Sequence, residues 1–291
     1  MRPCHVIEIT TPKKFVLNGL WFGPKKPKRV IIWIHGLGSS AFTKLYIVDK
    51  LVSKKTAVIT FNNRGHDKVS SVSSTRNKRI RGGAAHEVFA DCVDDIQGAI
   101  RFAKRAGAQS VVLAGHSTGC QKSAYWAAKK GKDVKGIILL APMSDYAAEV
   151  KVSGKAKMSS ALSTARRLVK AGRQHELIPE SVWGWPLLAD AQRFISLYSA
   201  KSAEEIFTYW DPKRVPKTLR RIRLPILILL AEKDEYADRP AVEIAAWFKK
   251  YAKKSDSVRI VPKVKHSFEG GEKIVARAIG DFIKIGVKYR Q

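Results

Sequence analysis

Gly115-His116-Ser117-Thr118-Gly119 is the stretch of this 291-residue chain best suited to covalent chemistry. It follows an apolar run, Val111-Val112-Leu113-Ala114, and precedes a helix-like run that starts near Cys120. A serine on such a strand-to-helix turn is lifted clear of the sheet, and the next backbone N–H is left free to hold an oxyanion. The flanking glycines fit this setting, because a side chain at either position would crowd the adjoining strand or helix. Serine is a poor nucleophile at neutral pH. It needs a base, and the base needs a carboxylate to orient it.

In this arrangement the acid and the histidine follow the nucleophile in the chain and sit at strand ends. After the apolar run 226–231 come Glu232, Asp234, Glu235 and Asp238, any of which has the right chemistry. After the last strand-like run comes His266, the only histidine beyond those acids. His175, the other histidine after Ser117, precedes all of them. Position, order and uniqueness make His266 the base. Two donors are needed for the oxyanion. One is the Thr118 N–H. The other is assigned to Leu37 in His35-Gly36-Leu37-Gly38, where glycines let the backbone approach a substrate. His35 and His116 are read as structural.

These residues require a scaffold of buried strands. The runs 29–35, 57–61, 110–114, 136–140 and 225–230 are almost uniformly apolar, as in parallel strands covered on both faces. A further strand is expected at 257–262, and an antiparallel hairpin or meander at 6–10 and 15–22. Helical periods fall at 86–105, 123–130, 241–252 and 273–285. The alternation predicts a doubly wound, mostly parallel α/β sheet flanked by helices. One segment, 145–223, holds no strand. It has helical stretches at 161–170, 188–197 and 203–209 and a middle rich in Trp and Pro. It reads as a helical lid inserted after the sixth strand, with 1–144 and 224–291 forming the core. Trp183, Trp185, Phe194, Tyr209 and Trp210 are its candidate substrate contacts, with packing between lid and body the competing role for each.

With these residues in place, the chain resembles the α/β-hydrolase superfamily over nearly its whole length, through HGLG at 35–38, GHSTG at 115–119, an acid at 234 and His266. The resemblance selects Asp234 as the orienting acid. A narrower similarity, to the branch that includes fungal siderophore esterases, rests on Phe61-Asn62-Asn63-Arg64-Gly65-His66, on 82–89 and on 190–197. Arg64-Gly65-His66 reads as a structural turn or part of the pocket rim, and Glu87, near a helix start, as a structural residue suited to the helix dipole and capping. The implied activity is hydrolysis of a small-molecule carboxylic ester through an acyl-enzyme. The same residues also serve an amidase or peptidase, a lactonase or an acyltransferase. No metal or cofactor is required.

Composition bounds the remaining readings. Hydrophobic residues make up 45% of the chain, enough for a large core. No run approaches the ~20 apolar residues of a membrane span, and no signal peptide is evident, so a cytoplasmic location is expected. Cys4, Cys92 and Cys120 match no zinc spacing and read as reduced thiols. Lys and Arg number 54 against 25 acidic residues, a formal charge of +29. That charge would draw nucleic acid or an anionic surface, but the basic residues are scattered and no stacking platform accompanies them. Polyanion binding is therefore not expected as the main function, and a non-catalytic basic scaffold is the minor alternative.

Overall fold

A computed structural model describes residues 2–183 and 188–288, the last four of these by backbone alone. Its main sheet has eight strands in the order β1-β2-β4-β3-β7-β8-β9-β10. β1 (Cys4–Thr10) and β2 (Val16–Phe22) pair antiparallel, and β2 is antiparallel to β4 (Thr56–Phe61) as well. The remaining neighbours run parallel: β4, β3 (Arg29–Ile34), β7 (Ser110–His116), β8 (Ile137–Leu140), β9 (Ile226–Ala231) and β10 (Ser257–Val261).

The central strands are apolar throughout because both faces are covered. In β3, Val30, Ile32 and Ile34 join the core beneath α2 (Cys92–Arg105), α3 (Thr118–Lys129) and α8 (Ala241–Tyr251). Ile31 and Trp33 point the other way, against α1 (Leu45–Leu51) and α9 (Glu272–Lys288). The period of two thus feeds two separate cores, and this is what makes the sheet doubly wound.

Between β8 and β9 the chain forms α4 (Asp145–Ser153), α5 (Lys155–Lys170), α6 (Ala191–Tyr198) and the short α7 (Lys217–Arg221). These helices have a third apolar cluster of their own, built on Met158, Leu162, Trp183, Phe194 and Tyr198. Ser144 caps α4 by accepting from the Ala147 N–H, and Asp190 caps α6 by accepting from the Arg193 N–H.

The structure departs from the expectations in several places. The helix expected from residue 86 begins at Cys92, after a 3₁₀ turn at Phe89–Asp91. Upstream, Gly83 takes φ +87°, and the Ala84 and Ala85 amides donate to Asp67 O and Lys68 O, which holds this stretch as a loop against the 67–68 turn. Residues 203–209 are irregular, because tertiary partners claim them: Glu204 pairs with Arg193, while Phe207 and Tyr209 enter the main core. A small hairpin, β5 (Ser70–Ser73) with β6 (Arg79–Gly82), lies between β4 and α2 and was not foreseen.

Candidate active site

β3, β7, β9 and β10 are parallel, so the loops that follow them gather along one edge of the sheet. They carry Leu37, Ser117, Asp234 and His266 respectively.

Ser117 joins β7 to α3 at φ 55°, ψ −128°. A non-glycine residue there carries roughly 1–3 kcal/mol of strain, which the surroundings must impose. The neighbouring glycines show how they do so. A Cβ on Gly115 would run into the Gly119 carbonyl, and one on Gly119 into the Ile34 carbonyl of β3. A Cβ on Gly36 would lie 2.9 Å from Ser117 Cβ. The turn is also tied from behind. The Ser117 N–H donates to Leu140 O at 3.0 Å, and the buried Cys120 thiol donates to Gly115 O and Leu140 O, each at 3.1 Å. Thr118 opens α3, so its N–H has no intrahelical acceptor.

His266 is buried, with Nδ1 2.8 Å from Asp234 Oδ2 and 3.0 Å from Oδ1. A carboxylate there keeps the proton on Nδ1 and leaves Nε2 as the basic nitrogen. Two further contacts hold the histidine loop by its backbone. The His266 N–H donates to Glu235 Oε2 at 2.9 Å, and His116 Nε2–H donates to His266 O at 2.9 Å. Burial, then the nearby His266 charge, lowers the His116 pKa to about 3, so its ring is neutral and donates through Nε2. His35 is likewise lowered to about 3, chiefly by burial, and its Nδ1 donates to Gly36 O at 2.9 Å. The edge of the Tyr236 ring packs on the His266 ring at 5.0 Å. Burial opposes ionisation of Glu235, but the His266 and Glu235 N–H groups and the charges of His266 and Lys265 together outweigh it, and the Glu235 pKa falls.

Ser117 and His266 line a single cavity of about 540 Å³ with Gly36, Leu37 and Gly38. Ser117 Oγ makes no hydrogen bond among the described residues. In unliganded enzymes the nucleophile–base contact is often loose and tightens on substrate. The helical segment contributes Asp145, Ala148 and Glu149 of α4, Leu188, and Tyr198 of α6 to the cavity lining. Met143, Tyr236 and Lys44 also reach the cavity. Asp145 has its pKa raised by burial, then by Glu204 and Glu205, and accepts from Gln121 Nε2 at 2.7 Å.

The aromatic candidates fare differently. Phe194 is fully buried, and Trp183 packs against it and Tyr198 at 5.1 and 5.9 Å. The Tyr209 hydroxyl accepts from the Ser144 N–H, and Trp210 Nε1 donates to Glu205. None of these four lines the cavity; they pack the helical segment and its seat. Trp185 lies outside the described residues. The aromatics that do reach the cavity, Tyr198 and Tyr236, were missed. Tyr236 stands two residues from Asp234, the one sequence signal that pointed to it.

Beneath the site lies a buried ionic cluster. Lys122, one turn into α3, is 2.6 Å from Glu87 Oε1 and fully buried. Arg193 of α6, also fully buried, is 3.1 Å from Glu87 Oε2, off the hydrogen-bonding direction, and pairs with Glu204 at 2.5 Å. Burial works against the Glu87 charge, but Lys122 and Arg193 overcome it and lower its pKa. Glu87 is therefore the hinge of an ion cluster and not a helix cap. Arg64 is a structural residue too: buried, it binds Asp94 and Asp95 of α2 at 3.0 and 2.7 Å. Among the described residues no group of three or more His, Cys, Asp or Glu is placed to hold a metal ion, and no helix is long and apolar enough to cross a membrane.

Comparison with known proteins places this geometry in context. Residues 26–280 match the family described as "Protein of unknown function (DUF1749)". A protein of Mycoplasma genitalium named "Putative esterase/lipase 2" is 30% identical over 139 residues, 47% of this chain and 46% of that protein. The chain thus spans about half the length of that curated relative. Among solved structures, the siderophore hydrolase EstB from Aspergillus fumigatus superposes with a TM-score of 0.70 at 15% identity, covering 98% of each chain. The ferulic acid complex of Est1E from Butyrivibrio proteoclasticus gives 0.64 at 18% identity, over 97% of this chain and 99% of that one. The fold is that of the α/β-hydrolases.

Proposed function

We propose, from the premise that this chain belongs to the family described as protein of unknown function (DUF1749), that it is a serine hydrolase of carboxylic esters. Ser117 is the nucleophile, His266 the base and Asp234 the orienting acid. Ser117 Oγ attacks the ester carbonyl while His266 Nε2 takes its proton. The Leu37 and Thr118 N–H groups hold the oxyanion, and Asp234 stabilises the imidazolium. His266 returns the proton to the leaving alcohol. It then activates a water molecule, whose attack releases the acid and frees Ser117.

The observation that carries this reading is the pairing of a strained Ser117, at φ 55°, with an Asp234-bound His266 on one cavity wall. Residues 145–223 act in this reading as a lid. Leu37, Ala84, Met143, Ala148 and Leu188 give the cavity an apolar lining, and its volume suits a medium acyl or aryl ester. Est1E, which holds ferulic acid, makes hydroxycinnamate esters a reasonable first panel.

The test is hydrolysis of short p-nitrophenyl esters by the wild type and Ser117→Ala, with fluorophosphonate labelling alongside. The variant should lose at least about 10³-fold in kcat/KM and all labelling. Equal rates in the two proteins would sink the mechanism.

A further inference from the structure

One surface departs from the scatter of basic residues along the chain. Between Glu149 and Glu176 there is no Asp or Glu, and α5 fills most of that stretch. Met158, Ala161, Leu162 and Ala165 form the buried stripe of α5, in one apolar cluster with Phe194 and Tyr198 of α6. Val169 is 38% exposed, but it lies four residues after Ala165 and so borders the same stripe.

The opposite side is open and cationic. Lys155, Ser159, Ser163, Arg166 and Lys170 follow one another at spacings of four or three, which puts them in one row, with Arg167 beside it. All six are exposed. Among the described residues the four cations make no ion pair, and Arg167 donates to the Thr164 hydroxyl on its own helix. The acids that bound this stretch are engaged elsewhere: Glu149 lines the cavity and accepts from Ser153, and Glu176 pairs with Arg173. α8 and α9, by contrast, carry Glu243, Glu272 and Asp281 among their lysines and arginines.

We propose that this face of α5 binds the phosphate backbone of a nucleic-acid duplex without reading its sequence. The helix is ~24 Å long, and one strand presents about seven phosphates over that length. Lysine and arginine neutralise phosphates, serine hydroxyls donate to their oxygens, and the small side chains between the cations let the strand come close. The row has no leucine and no aromatic ring. It therefore offers nothing to enter an acyl boundary, no platform for unstacked bases and no anchor for a protein partner. The net charge of +29 draws polyanions to the whole molecule, and α5 gives them a place to settle. No residue of α5 lines the cavity, so this binding does not depend on the ester chemistry.

Fluorescence anisotropy with a labelled DNA duplex of random sequence tests it. The α5 variant carries Lys155→Gln, Arg166→Gln, Arg167→Gln and Lys170→Gln. The control carries Lys129→Gln, Lys130→Gln, Lys249→Gln and Lys250→Gln, exposed residues elsewhere, so both variants lose the same net charge. A thermal melt reports that each is folded. The α5 variant should bind at least about tenfold more weakly than the control near ~0.1 M salt, and its plot of log affinity against log salt should flatten by about three to four in slope relative to the wild type. Arg166→Gln with Lys170→Gln alone should give about half of that change in slope. Equal weakening of the α5 variant and the control overturns the proposal, because net charge then accounts for the binding. So does a wild type that ignores the duplex, including one that pellets with phosphatidylserine vesicles or holds an acidic polypeptide instead.

Discussion

The loops at the carboxyl edge of the sheet and the helices above them face one cavity, yet they are held by opposite means. The loops are fixed by backbone: glycines that exclude a Cβ, and carbonyls and amides taken by His116, Glu235 and Leu140. The helical segment is fixed by side chains: its own apolar cluster, and Arg193 bridging Glu204 to Glu87 in the body. Backbone constraints hold atoms to tenths of an ångström and tolerate almost no substitution. Side-chain packing tolerates exchange and can reshape a pocket. The proposed chemistry stands on the first kind of support and the proposed selectivity on the second.

The sharpest way to break this comparison is at the acid. Asp234→Asn should leave the fold intact and lower kcat by about 10³–10⁴-fold, because the amide disfavours the required tautomer of His266. Steady-state kinetics with a thermal melt separates the two effects. Next is the ionic tie. Arg193→Met strands Glu204 and half of the Glu87 pairing in the interior, and should cost about 3–5 kcal/mol in a denaturant titration. A loss near zero would mean that the helices are seated by apolar contact alone.

A smaller effect concerns Glu205, whose pKa burial pushes up to about 7 against the hydrogen bonds from Ser144 and Trp210. The folded state keeps its proton where the unfolded chain has lost it. Glu205 therefore costs stability as pH rises from about 4.5 to 7, and the full cost remains above that. Glu205→Gln keeps an acceptor oxygen. It should match the wild type near about pH 5 and exceed it by up to about 3 kcal/mol near about pH 8. The smallest effect is expected at Leu188, which lines the cavity. Leu188→Ala should change KM across an acyl-chain series by less than about tenfold, with kcat for the shortest ester unchanged.

Legibility in the sequence follows the same division. Gly115 and Gly119 were readable because only glycine meets the steric demand there. The parallel strands were readable because burial on both faces forces an unbroken apolar run. His266 was readable from chain order and Asp234 from family resemblance. The aromatic residues of the helical segment were not, since a ring that packs a core and a ring that greets a substrate have the same composition. Arg193 and Lys122 were hidden among 54 basic residues, as nothing local marks a charge destined for burial. The β5–β6 hairpin escaped because SSVS and RIRG are short and largely polar. α1 escaped because it starts from Lys44 in a left-handed conformation with no side-chain cap.

The Glu87 cluster also constrains how this molecule can be recombined. Lys122 belongs to the helix that follows the proposed nucleophile, and it shares the Glu87 carboxylate with Arg193 from across the seam. A chimera that replaces 145–223 with a foreign helical insert would shift the charge balance beneath that helix. A workable graft must bring its own Arg193 and Glu204 equivalents, so that both oxygens of Glu87 keep a cation beside them. The helical segment is a module in chain order but not in electrostatics.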